Sequence, residues 1–157
     1  MFANKSEEFF FMSHIDETKK VLEYGSGYST IEIANRCKTI VSVEHQENWY
    51  KDISKKKPNN CTLIYSAPDL DYTEGGDDGS YEEFYTYVNS PLNYAPFDVI
   101  LIDGRARVSC ASICNLLGNE NTIVFIHDFF RPEYKKALEF LELLESVDTM
   151  SKFKIKY

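Results

Sequence analysis

From Val21 onward the chain alternates short apolar runs with longer stretches whose apolar residues recur at helical spacing. That alternation is the signature of βα units around a mostly parallel sheet. Lys20 to Tyr24 forms the first predicted strand, and Ile31, Ile33 and Ala34 mark a helix that ends near Arg36. The β-branched stretch "TIVSVEH" at 39–45 predicts a second strand, and Asn48 to Lys56 a helix stopped by Pro58. "CTLIYSA" at 61–67 gives a third strand. Residues 68–80, "PDLDYTEGGDDGS", are rich in Gly and Asp and show no period, as in a long loop that serves either function or mobility.

Helical spacing resumes in "YEEFYTYV" at 81–88. "FDVILID" at 97–103 is apolar almost throughout, as a strand covered on both faces must be, and "TIVFIHD" at 122–128 is its expected partner. Val108 to Leu117 supplies the crossover helix between them. Pro132 suits the first turn of a further helix, on which Leu138, Leu141, Leu144 and Val147 form a stripe expected to face the core. The closing "KFKIKY" alternates Lys with apolar residues, as a strand with one buried face does. No internal repeat or low-complexity segment interrupts the pattern, and 157 residues are expected to make one domain over 1–157.

Composition narrows the classes. With 43% hydrophobic and 27% charged residues the chain is globular rather than disordered. A formal charge of −8 opposes a nucleic-acid partner, and the one compact basic run, Lys55 to Lys57, reads as a solvated helix end. Cys37, Cys61, Cys110 and Cys114 lack CxxC spacing, so free thiols and a reducing, cytoplasmic location are expected. The apolar run Phe9 to Met12 has four residues and no basic flank, so no membrane segment or signal peptide is expected there.

The chemistry concentrates at strand ends. "VLEYGSGYST" at 21–30 passes from a strand through Gly25, Ser26 and Gly27 into a helix, where glycines let backbone N–H groups approach a ligand. Glu23 lies two residues before Gly25, on the same face, where its carboxylate is expected to meet a cationic ligand group. Glu44 ends the second strand, placed to accept hydrogen bonds from two ribose hydroxyls. Asp103 ends the fourth strand, at the edge where open α/β sheets bind ligands. A nicotinamide dinucleotide fits less well: Thr30 replaces the third glycine of that fingerprint, and Glu23 would repel a pyrophosphate. The plain alternative is that the glycines only make a tight turn.

Together, "VLEYGSGYST", "VSVEH" and "FDVILIDG" resemble a class I S-adenosylmethionine-dependent methyltransferase over roughly residues 20–147. The resemblance implies a Rossmann-like α/β fold, a mostly parallel sheet flanked by helices, and S-adenosylmethionine as cofactor. It also implies that the backbone around Gly25, Ser26 and Gly27 contacts the methionine part of the cofactor, and that Ser29 and Thr30 in the same stretch help bind it. Glu44 would bind the ribose, His45 would lie beside the adenine, Ser66 and Ala67 would flank that ring, and Asp103 would stand near the sulfonium or the acceptor. One departure is expected. After Thr149 too few residues remain for the family's last antiparallel strand, so a C-terminally truncated sheet is expected, either a minimal domain with an open edge or, the favoured reading, one whose edge is covered in a homo-oligomer.

For transfer to a hydroxyl, a base or a metal must deal with the proton. His127 and Asp128 follow the fifth strand beside Asp103, so these three are candidate catalytic groups, together with Arg105. Methyltransferases resembling this arrangement often hold a divalent cation, which makes Asp103 and Asp128 candidate magnesium ligands. His127 could instead cap a turn or pack on Phe129, and Asp128 could be an N-cap. Arg105 and Arg107 could pair with a carboxylate or phosphate of an acceptor, or with the chain's own acids. Tyr72, Tyr81, Tyr85 and Tyr94 could stack on an acceptor or simply pack. The expected activity is O-methylation of a small molecule or glycan. The alternatives are cleavage of the cofactor and a non-catalytic assembly module.

Overall fold

The computed structural model describes residues 2–73 and 78–157; Glu74 to Asp77, within the predicted 68–80 loop, lie outside the described residues. One seven-stranded sheet is built from β1 (Lys20–Tyr24), β2 (Thr39–Glu44), β3 (Cys61–Tyr65), β4 (Val99–Ile102), β5 (Ile123–His127), β6 (Leu141–Val147) and β7 (Met150–Ile155). Their order is β3-β2-β1-β4-β5-β7-β6. The first five pair in parallel, and β7 runs antiparallel to both neighbours. The helices are α1 (Lys5–Met12), α2 (Tyr28–Ala34), α3 (Glu47–Lys56), α4 (Tyr85–Asn89), α5 (Arg107–Ser112) and α6 (Cys114–Leu117), with 3-10 helices at Ser90–Tyr94 and Pro132–Glu139.

Because successive strand residues point to opposite faces, the continuous apolar runs fill two cores. Leu22, Tyr24, Ile100, Ile102, Val124 and Ile126 pack on one face. Val21, Ile40, Val99, Leu101 and Phe125 pack on the other. The second core is closed by α1, whose Phe10 and Phe11 rings meet Phe125 edge-on at 5.4 and 5.0 Å. The helix starts where Asn4 Oδ1 accepts a hydrogen bond from the Glu7 N–H. All four cysteines are free and buried, and Cys110 and Cys114 pack in the first core.

The C-terminal expectations need correction. The helix expected from Pro132 through Val147 is a 3-10 helix that stops at Glu139, followed by strand β6. Of the proposed stripe only Leu141 is fully buried, while Leu138 and Leu144 are exposed. "LELLESV" fits both periods, and pairing with β7 settles the choice: Glu142 and Glu145 face Lys154 and Lys152 across the ladder at 3.4 and 2.9 Å. The chain turns from β6 to β7 through Asp148 at φ 51°, the left-handed geometry of a tight hairpin. The last antiparallel strand is therefore present, and the expected truncation does not occur. The crossover helix breaks at Ile113 into α5 and α6, and α4 starts at Tyr85 rather than Tyr81.

Candidate functional site

The turn after β1 is shaped by close approach. Gly25 has φ 96°, and a Cβ there would lie 2.8 Å from the Asp103 carbonyl oxygen and from Gly104. The loops after β1 and β4 thus touch backbone to backbone, which only glycine permits.

Glu23 braces this turn from below. Its carboxylate accepts hydrogen bonds from Ser29 Oγ at 2.9 Å, Thr30 Oγ1 at 2.5 Å and Ser42 Oγ at 2.7 Å. Thr30 Oγ1 in turn accepts from the Gly27 N–H at 2.9 Å. The expectation that Glu23 meets a ligand cation fails, because the side chain is fully buried beneath the turn. Burial pushes its pKa up to about 7, against the three hydroxyl hydrogen bonds that favour the charge. Ser29 and Thr30 are likewise buried and hold the turn rather than lining the cleft beside it.

That cleft, of roughly 350 Å³, opens at the carboxyl ends of β1, β2 and β4, between Gly25, Ser26, Glu44, Asp103 and Arg105. Its size falls within the range of small-molecule sites. Glu44 Oε2 accepts the Ser26 N–H at 2.9 Å and Oε1 the Gln46 N–H at 2.7 Å, which fixes the carboxylate while leaving lone pairs on both oxygens. His45, Gln46 and Trp49 pass from this cleft into a second of roughly 540 Å³, which Pro68 and Tyr72 also line. Ser66 and Ala67 do not reach either space: Ser66 is buried, its N–H donating to the Glu44 carbonyl at 2.8 Å. Pro68 and Tyr72 line the second cleft in their stead.

Beyond Asp103 lies a chain of charges. His127 Nδ1 stands 3.0 Å from Asp103 Oδ1, and its Nε2 stands 3.2 Å from Glu7 Oε2 and 3.0 Å from Thr149 Oγ1. Glu7 is itself fully buried, accepting the Thr149 N–H at 2.7 Å and the Ala3 N–H at 2.9 Å. Burial works against charge on the imidazole, but the hydrogen bond to Asp103 and the charges of Asp103, Asp128 and Glu7 outweigh it and raise the His127 pKa. For Asp103 burial again opposes the charge, and the His127 hydrogen bond with the His127 and Arg107 charges prevails, lowering its pKa. An imidazole held between two carboxylates is favoured in its protonated form, and a protonated ring has no lone pair with which to act as a general base.

Asp128, at φ 57°, faces cations: its Oδ2 is 3.6 Å from Arg107, 3.5 Å from Arg131 and 3.7 Å from His127. Among the described residues Asp103 lines the cleft, whereas His127 and Asp128 do not. The magnesium expectation fails on the same geometry. Asp103 and Asp128 are already surrounded by guanidinium and imidazole groups, and no cluster of three or more metal-binding side chains occurs among the described residues. Arg107 is buried, donating to the Gly104 carbonyl at 3.0 Å and the His127 carbonyl at 2.6 Å. Sequence reasoning missed Glu7 and Arg131. Arg131 stands where the loops of adjacent strands meet, but Glu7 lies 120 residues from its partner and leaves no local signal.

No protein-family model and no curated protein sequence matches the chain. Solved structures do. A methyltransferase-like protein from Silicibacter pomeroyi superposes with a TM-score of 0.77 at 20% identity, covering 99% of this chain and 88% of the other. The N-methyltransferase NodS from Bradyrhizobium japonicum, in complex with S-adenosyl-L-homocysteine, superposes with a TM-score of 0.62 at 10% identity, over 98% and 88%. The tRNA (m1A58) methyltransferase TrmI from Aquifex aeolicus gives 0.64 at 12%, over 100% and 71%. The chain therefore has the Rossmann-like fold of class I S-adenosylmethionine-dependent methyltransferases.

Proposed function

We propose that the protein is an S-adenosylmethionine-dependent methyltransferase acting on an oxygen of a small molecule or glycan. The observation that carries this reading is the convergence of the close-packed Gly25 turn, Glu44 and Asp103 on one cleft at the strand ends. S-adenosylmethionine supplies an electrophilic methyl group when bound. Glu44 would accept hydrogen bonds from both ribose hydroxyls, since its two oxygens are fixed by backbone N–H groups and still have free lone pairs. His45, Trp49, Pro68 and Tyr72 would enclose the adenine. The backbone at Gly25 and Ser26 would receive the methionine part.

Asp103 would face the sulfonium and the acceptor. His127 and Arg107 keep its carboxylate charged, so it attracts the positive centre and orients an acceptor hydroxyl through a hydrogen bond. His127 holds Asp103 in place and acts as a positioning residue. The oxygen-acceptor reading is supported by this carboxylate, which would accept the hydroxyl hydrogen bond and then the proton as the methyl group passes from sulfur to oxygen and S-adenosylhomocysteine leaves.

Calorimetric titration with S-adenosylmethionine, S-adenosylhomocysteine and NAD tests the assignment. Binding of the first two and not of NAD is expected, followed by S-adenosylhomocysteine formation in an acceptor screen. Binding of neither would reduce the glycine turn to a structural element, and turnover without an acceptor would instead indicate cofactor cleavage.

A further inference from the structure

We infer that the methyl acceptor carries an oxyanion, a carboxylate or a phosphate, gripped by Arg105 and Arg131 at the rim of the cleft; this rests on the methyl-transfer reading above. Three guanidiniums, of Arg105, Arg107 and Arg131, line the cleft in a chain with a formal charge of −8. Arg107 is spent on the protein. Its Nε and Nη1 donate to the Gly104 and His127 carbonyls, and its Cζ lies 5.0 Å from the Tyr134 ring centre.

The other two are differently placed. Among the described residues no carboxylate comes within ion-pair distance of Arg105, although acids outnumber bases by 25 to 17 in the sequence. Its guanidinium sits 5.9 Å over Tyr72, on the wall shared with the second cleft. Asp78, whose charge reaches Arg105 through space, gives its Oδ2 to the Arg107 N–H at 2.6 Å instead. The Arg131 side chain is half exposed and, among the described residues, its guanidinium has one ion pair, at 3.5 Å, with Asp128 Oδ2. Each of these forks retains donors in the paired geometry that suits a carboxylate or phosphate.

Their position assigns them to the acceptor. Arg105 follows β4 and Arg131 follows β5, and these strands are neighbours in the sheet. Both therefore leave the sheet on the β4–β5 side of Asp103, away from the strand β2 that carries Glu44, and the Arg105 guanidinium reaches back over Tyr72 at the boundary of the two clefts. A neutral acceptor would leave the spare donors of both guanidiniums unmatched at a polar cleft.

The probes are inorganic phosphate and malonate, titrated at constant ionic strength into the full chain saturated with S-adenosylhomocysteine, with chloride as the reference ion. Saturable binding of at least one probe is expected, weakened about tenfold by Arg105→Ala and by Arg131→Ala and partly kept by Arg105→Lys, which preserves charge without the fork. Preference for phosphate or for malonate decides between the two oxyanions. Absence of saturable binding, or binding that the arginine variants leave unchanged, overturns the inference. So does an equal loss of S-adenosylhomocysteine affinity in the variants, which would give the guanidiniums to the cofactor's own carboxylate and leave the methyl-transfer reading standing. If the unaltered protein fails to bind S-adenosylhomocysteine, the methyl-transfer reading falls and takes this inference with it.

Discussion

Glu23 and Glu44 stand on paired strands, yet burial gives them opposite tasks. Glu44 reaches the cleft, so Glu44→Ala is expected to weaken S-adenosylmethionine binding by about 1–3 kcal/mol, read by calorimetry, through lost charge-assisted hydrogen bonds. Glu23 is sealed under the turn and titrates at about 7 rather than at 4.5. A carboxyl whose folded pKa is raised contributes stability that is complete below its unfolded value and disappears as pH climbs through the folded one. Raising pH from about 5 to about 8 should therefore lower wild-type stability relative to Glu23→Gln, by on the order of 3 kcal/mol. Parallel urea midpoints for the two proteins across that window would show that Glu23 does not titrate there. Both residues were visible in the sequence as acids near strand ends. What strand periodicity could not show was depth: Ser29, Thr30 and Ser42 close over Glu23, and only the fold brings those hydroxyls together.

At the level of elements, the sequence pattern was sound where a strand is buried on both faces or stopped by glycine or proline. It failed at residues 141–147, where Leu and Glu recur in a way that fits a helix as well as a strand. The deciding contacts, with Lys152 and Lys154, lie on another strand. The two readings predict different mutational costs. In a helix with one core stripe, Leu141 and Leu144 would matter equally. In the strand, Leu141 is fully buried and Leu144 is 45% exposed, so Leu141→Ala should cost about 2–4 kcal/mol and Leu144→Ala less than about 0.5 kcal/mol. Chemical denaturation of the two variants measures this, and equal losses would restore the helix. The hairpin itself was hard to see, since its turn uses Asp148 and Thr149 without the glycine that usually announces one.

Across the whole molecule, α1 is bound to the far end of the chain through Glu7, His127 and Thr149, and through His127 to Asp103 in the cleft. Removing one member leaves buried charges without partners, so Glu7→Ala should lower stability by about 3 kcal/mol, measured as a shift in denaturation midpoint. A loss below about 0.5 kcal/mol would mean the contact is idle. The sign with pH differs by partner. The raised His127 pKa lends stability below its ordinary 6.5 that fades as pH rises through the folded value, while the lowered Glu7 and Asp103 values lend stability above the usual carboxyl range that fades on acidification. No such long-range tie can be read from local periodicity. The strand order has one more consequence. The last strand of this sheet in sequence, β7, is not an edge but sits between β5 and β6. Until it arrives, β5 presents an open ladder and β6 has no neighbour, so a growing chain can build the half of the sheet that carries the cleft while the other half waits. Folding on the ribosome should then proceed from the cleft outward, with the clasp on α1 closing last, once Thr149 is free to meet Glu7.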